Sequence, residues 1–246
     1  MPPTRQIARE IFRQTLSSID IPSVIERKLH VEGTRLELPD CTLDCARFSR
    51  VLVIAIGKAA HAMVTGLAGI LPDRISPSGI VVAPTNPPTV LPDFQYFLGG
   101  HPIPNIDSWR AGETVLRLLH LCDERTLVFF LLSGGGSALF ELPLNPDMTL
   151  EDVQAAHRAL VTCGAPIDAM NTVRRHLSAV KGGRLAVAAG GATKITFAVT
   201  DVPAGKEAAL SSGPTLPDPT TIADTKRVFA QYDLQKRLPP ALLRWL

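Results

Sequence analysis

The stretch "LVFFLLSGGGSALFELP", Leu127 to Pro143, decides the fold. Six apolar residues run into Ser133, three glycines and a second serine. An unbroken apolar run bounded by turn residues reads as a strand buried on both faces. Glycine costs roughly 0.5–1 kcal/mol against alanine in a regular element, so three in a row need a reason. Such a loop lets successive backbone N–H groups turn inward around an anion, with serine hydroxyls at each end. The alternative is a bare strand-to-helix turn, for which one glycine usually suffices.

Two other segments repeat the pattern of apolar strand, glycine- or proline-bearing loop, then helix. One is "VLVIAI" (Val51 to Ile56) with Gly57-Lys58 and "AAHAMVTGLAGIL". The other is "KITFAVT" (Lys194 to Thr200) with "DVPAGKEAALSSGPTLPDPTT". Weaker strands are expected at Gly79 to Ala83 and Phe94 to Leu98. Helical spacing covers Asp107 to Cys122 and Met148 to Ala189. Apolar strands alternating with helices predict a three-layer α/β/α sandwich around a mostly parallel, Rossmann-like sheet. Ligands in such sheets bind beyond the carboxyl ends of the strands. Lys58, the glycine loop and Asp201 should therefore line one concavity.

Composition narrows the function. The chain has 246 residues, 46% hydrophobic, with a net charge of +2 and 21 prolines. That balance gives no argument for nucleic acid, and no apolar run is long enough for a membrane span. The N-terminal segment lacks the apolar centre of a signal peptide; Ile7, Ile11, Phe12, Leu16 and Ile19 instead fall at helical spacing. The four cysteines have no zinc or C-x-x-C spacing, which suits reduced thiols in the cytoplasm.

Each candidate residue carries its own chemistry. Lys58 stands at the first turn of a helix, where a cation opposes the helix dipole unless an anion lies between. Its alternative is a side chain bent into solvent. Ser133, Gly134, Gly135, Gly136 and Ser137 could cradle phosphate or carboxylate oxygens. A dinucleotide fingerprint fits poorly, because "GGGSAL" has Leu139 where the last glycine belongs. In "APIDAMNTVRRHLSAVKGG", Val173, Leu177 and Val180 form an apolar side. Asn171, Arg174, Arg175, Ser178 and Lys181 form a cationic side, either solvated or facing an acidic ligand. Asp201, straight after a strand, could hold Mg²⁺ or take a hydroxyl proton, or simply fix an Asx-turn. His101 in "GGHPIPN" reads first as a hydrogen-bonding strut.

Five motifs together carry a resemblance: "GKAAHAM", "GGHPIPN", "LLSGGGSALFELP", "NTVRRHLSAVKGGRLA" and "SSGPTLPDPTT". In this order they resemble the glycerate 2-kinase family, whose glycerate kinase N-terminal domain precedes a smaller MOFRL domain and whose members are often called hydroxypyruvate reductases. The resemblance implies that residues 1–246 are the N-terminal domain. It implies transfer of the ATP γ-phosphate to the 2-hydroxyl of D-glycerate, with Mg²⁺, in a cleft between the two domains. Lys58 matches the family's catalytic lysine. Residues 133–137 would then cradle the ligand, with Asn171, Arg175 and Lys181 adding positive charge and Asp201 lining the site.

Departures from the family set further expectations. The MOFRL domain, with its essential arginine, does not follow in this chain, and "DVPAGKEAAL" is less acidic than the family's loop. Asn105 stands where an aspartate is common. The chain ends on apolar Leu242, Leu243, Trp245 and Leu246. These features lead to the expectation of an excised or truncated domain, or a degenerate relative, with little turnover alone. An exposed apolar C-terminal helix would favour a homodimer. The competing functions are a non-catalytic anion- or nucleotide-binding module and an NAD(P)H-dependent hydroxypyruvate reductase.

Overall fold

The computed structural model describes residues 4–71, 75–200, 202–203 and 205–245. Its chain runs through α1 (Thr4–Ser18), α2 (Ile21–Lys28), β1 (His30–Glu32), β2 (Arg35–Glu37), β3 (Thr42–Asp44), β4 (Arg50–Ile56) and α3 (Ala60–Ile70). Next come β5 (Ser78–Ala83), β6 (Phe94–Leu98), α4 (Ile106–Leu119), β7 (Thr126–Ser133) and the single turn α5 (Gly136–Leu139). The remainder is α6 (Leu150–Thr162), α7 (Ile167–Leu177), α8 (Arg184–Ala188), β8 (Thr193–Val199), α9 (Ile222–Gln231) and α10 (Pro240–Trp245).

The main sheet is parallel throughout, in the order β6-β5-β4-β7-β8. All five expected strands are present, with ends shifted by at most one residue. Strands β4 and β7 lie at its centre, paired from Arg50 and Thr126 to Ile56 and Leu132. Their alternate residues feed two cores. Leu52, Ile54, Ile56, Val128, Phe130 and Leu132 pack on one face with Val115 and Leu119 of α4. Val51, Val53, Ala55, Leu127, Phe129 and Leu131 pack on the other with Met63 and Leu67 of α3. This is the three-layer sandwich that the apolar strands required.

The long helical stretch from Met148 to Ala189 is broken twice. Gly164, at φ 79°, and Pro166 separate α6 from α7; Gly182 and Gly183, also at positive φ, separate α7 from α8. Helices α6, α7, α9 and α10 enclose a third core around Leu160, Val173, Phe229 and Leu242. Leu242 is fully buried there, so the C-terminal helix is packed and does not form the exposed patch expected of it. Exposed apolar residues occur at several other places, among them Ile7, Ile11 and Phe12 on α1. The antiparallel β1-β2-β3 meander was not legible, because each three-residue strand carries one apolar side chain.

Between β6 and α4, the loop holding His101 is pinned by a reciprocal cap. Asn105 accepts from the Ser108 amide at 2.9 Å, and the Ser108 hydroxyl accepts from Gly100 N–H at 2.9 Å and Asn105 N–H at 3.2 Å. The Asn105 amide also donates to the Leu98 carbonyl at 2.8 Å, a bond that an ionised aspartate could not make. Ser108→Ala removes the acceptor of two amides and should cost about 1–3 kcal/mol. Urea denaturation should show a lower midpoint with an unchanged slope.

Candidate functional site

The sheet order contains a topological switch point. From β4 the chain moves outward through β5 and β6, then returns to β7 on the other side of β4. The loops after β4 and β7 therefore leave side by side, where ligands bind in open α/β sheets. Gly57, at φ 123°, makes the close approach: a Cβ there would stand 2.3 Å from Ser133 Oγ. The Lys58 amide donates to the Gly134 carbonyl at 2.9 Å, and the Ala59 amide to Ser133 Oγ at 3.0 Å. The two loops form one unit.

Lys58 is exposed at the lip, its Cε 3.3 Å from the point where a Cβ on Gly135 would be. Gly135, at φ 91°, turns the chain into α5. Among the described residues, no backbone acceptor takes the amides of Gly134 or Gly135. A cleft of about 240 Å³ opens here, lined by His101, Gly134, Gly135, Ser137, Arg174 and Ser211, with Ile167, Val161 and Val202 as apolar walls. Burial lowers the His101 pKa, and the nearby Lys58 and Arg174 charges lower it further. Both effects favour the neutral imidazole, the form able to accept a proton.

The other expected site residues divide. Ser133 is buried, donating to the Ile56 carbonyl at 3.4 Å, and its hydroxyl joins the two loops. Gly136 is a close-approach position, where a Cβ would stand 2.2 Å from Ser211 Oγ. Ser137 lines the cleft and bonds Ser212 at 2.8 Å, which in turn donates to Asn171 at 2.9 Å. Asn171 is thus buried behind the cleft wall. Asp201 lies outside the described residues.

Arg175 and Lys181 are not in the cleft. Both sides of α7 are covered, so its polar side meets protein where solvent or ligand was expected. Arg175 pairs with Asp218 at 3.0 Å and donates to the Ala208 carbonyl. Lys181, 1% exposed, bonds Glu141 at 2.6 Å and the Phe140 carbonyl at 3.1 Å. His157 and Ser178 also hold Glu141. Burial alone would raise the Glu141 pKa, but the Lys181 charge and the His157 hydrogen bond prevail and hold it at about 2. Burial pushes Lys181 and His157 down.

Three residues of the site were underrated from sequence. Helical spacing places Arg174 on the cationic side of α7 without distinguishing it from its neighbours. Ser211 and Ser212 lay within a quoted motif, yet their backbone is left-handed, at φ 51° and 62°. Nothing in a serine pair announces that. Ser211 uses the turn to donate to the Ser133 carbonyl at 3.0 Å, which ties this segment to the glycine loop.

The chain matches the model of a domain of unknown function, DUF4147, over residues 7–246. It belongs to the DUF4147 family. Among its relatives, a glycerate 2-kinase of Pyrococcus horikoshii is 36% identical over 96% of this chain and 50% of its own length. A D-glycerate 2-kinase of Thermotoga maritima is 37% identical over 79% of this chain and 46% of its own. A relative from Agrobacterium vitis that bears a hydroxypyruvate reductase name is 36% identical over 94% of this chain. The chain spans about half the length of these curated relatives. Two crystal structures superpose on this DUF4147 chain over 98% of its length and 54% of theirs. One is a Pyrococcus horikoshii protein, with TM-score 0.84 and 33% identity; the other is glycerate kinase from Thermotoga maritima, with 0.79 and 32%.

Among the described residues of this DUF4147 chain, no group of three or more His, Cys, Asp or Glu could hold a metal ion. The described cleft wall carries no carboxylate. Magnesium wants carboxylate or phosphate oxygen, so these residues do not by themselves fit it. No described helix is long and apolar enough to cross a membrane.

The buried pair gives two tests. Lys181→Met leaves Glu141 buried without its cation and should cost about 3–5 kcal/mol in thermal or urea unfolding. Adding Glu141→Gln should restore part of the loss, since a neutral amide is far less costly to bury. The acid limb is the second. A carboxyl depressed in the folded state stabilises above its ordinary value of 4.5 and loses that contribution as pH falls towards about 2. Stability of the wild type should therefore fall steeply between those values, and Glu141→Gln should flatten that limb.

Proposed function

We propose that this chain is the N-terminal half of a glycerate 2-kinase, residues 1–246 forming one wall of the site that transfers the ATP γ-phosphate to the 2-hydroxyl of D-glycerate. One observation carries the reading: Lys58 and the amides of Gly134 and Gly135 meet at the switch point of the sheet. Phosphoryl transfer asks for positioning and charge stabilisation more than covalent chemistry, and these groups supply both. Lys58 neutralises charge on the transferring group, and the loop amides hold anionic oxygens without needing a side chain. His101 can take the hydroxyl proton. The glycerate kinase names of relatives at 36–37% identity support the same reaction. Magnesium would arrive with the nucleotide phosphates, and the free cysteines suit a reducing, cytoplasmic setting.

A hydroxypyruvate reductase would need a nicotinamide site, and the glycine loop lacks the fingerprint for one. Coupled ADP release with D-glycerate tests the kinase reading, run on the chain alone and with the C-terminal half of the Pyrococcus horikoshii relative added. Little or no turnover is expected from the chain alone, and 2-phosphoglycerate in the mixture. Lys58→Ala should lower that rate about 10²–10³-fold. Turnover indifferent to Lys58, or NADH oxidation with hydroxypyruvate, would count against the proposal.

A further inference from the structure

Four cations follow one another from α7 to the start of α8: Arg174, Arg175, Lys181 and Arg184. Three are paired or hydrogen-bonded within the protein. Arg175 has Asp218, Lys181 has Glu141, and Arg184 donates to the carbonyls of Arg175 and Lys181 at 2.7 and 2.9 Å. Arg174 differs. It is 8% exposed, yet no described carboxylate lies within ion-pair distance; its Nε lacks a hydrogen-bond partner, as does that of Arg175, but Arg175 has the Asp218 charge beside it. Its one bond is a long 3.4 Å contact to Asn171 Oδ1. Glu141 is near enough to be felt but is already taken by Lys181, His157 and Ser178. A buried cation without a counter-ion costs several kcal/mol.

Arg174 also lines the cleft. Behind it runs a chain of polar contacts: Arg174 to Asn171, Asn171 to Ser212, and Ser212 to Ser137, which lines the cleft again. Asn171 is itself anchored by donating to the Ala209 carbonyl at 3.3 Å. The guanidinium is thereby held in the wall, on the same cleft as the glycine loop.

We infer that Arg174 binds the carboxylate of the hydroxy-acid substrate, with Asn171 as the positioning residue that holds it and Ser137 contributing a hydroxyl beside it. The inference rests on reading the cleft as a hydroxy-acid site. A planar guanidinium matches a carboxylate with two parallel hydrogen bonds, and no other described cation in the cleft wall offers that geometry. The preferred substrates are then 2-hydroxy acids, and their amides and alcohols are rejected. Lys58 is left free for the phosphoryl group.

The test needs no turnover, so its outcome is separate from that of the kinase reading. Calorimetric titration of the 246-residue chain with D-glycerate, glyceramide and glycerol should give a preference for the carboxylate. Arg174→Met should weaken D-glycerate binding about 10–100-fold and leave glyceramide and ATP unchanged. Arg174→Lys should fall between, keeping the charge and losing the fork. The melting temperature separates a ligand-binding role from a structural one: removing an uncompensated buried cation should leave it unchanged or raise it. A wild type that binds glyceramide as well as glycerate would overturn the inference. So would Arg174→Met with unaltered glycerate affinity, or with a lowered melting temperature or failure to fold.

Discussion

The structure depends on the parallel pairing of β4 with β7. These strands are the centre of the sheet, buried on both faces, and their ladder ends level at Ile56 and Leu132. Ser133 then carries the join one step further, accepting from the Ala59 amide and donating to the Ile56 carbonyl. Because the two strands lie on either side of the switch point, both following loops must leave at the same place. Gly57 is what permits contact, since any side chain there would strike Ser133. Lys58 and the glycine loop owe their proximity to this backbone geometry. No long-range side-chain contact between them is needed.

A second constraint acts through charge. Helix α7 packs its apolar side with α6, α9 and α10 and its polar side against residues 207–212, so the polar side is enclosed. Enclosed cations must be paired, and the fold provides Asp218 for Arg175 and Glu141 for Lys181. These pairs fix how the helical layer sits on the sheet, because Glu141 follows α5 directly and Lys181 follows α7. Removing either member leaves a bare charge, which is why the pair contributes more to register than its net energy suggests.

Much of this was legible in the sequence, for a physical reason. Strands buried on both faces are continuous apolar runs, so all five sheet strands stood out, and the glycine loop followed from its composition. The α7 cations were misassigned because helical periodicity records which side is apolar and says nothing about what covers the polar side. Arg175 and Lys181 read as ligand-facing on that account. Deciding between them and Arg174 requires knowing where Asp218 and Glu141 fall, and those lie 43 and 40 residues away in sequence from the cations they neutralise. The β1-β2-β3 meander escaped for the opposite reason: its strands are too short to show a period. Ser211 and Ser212 escaped because a left-handed backbone has no signature in a serine pair.

Where the fold is unconcerned with ligand, its local rules are obeyed. Helices α4, α6 and α9 each begin with a reciprocal capping box, and the sheet ladders are regular. Several exceptions border the cleft, although Asp93 and Asp233 also take left-handed backbone elsewhere. Two successive serines in left-handed conformation cost of order 1–3 kcal/mol each. Among the described residues, the buried Arg174 guanidinium adds to that, because it has no ion-pair partner. All three residues border the same cleft or the segment packed against it. A chain able to satisfy Arg175, Lys181 and Arg184 a few residues away had the means to satisfy Arg174 as well. Of these four cations, Arg174 alone has neither a described carboxylate within ion-pair distance nor a hydrogen bond shorter than 3.4 Å, which is the physical argument for the inferred anion from solution.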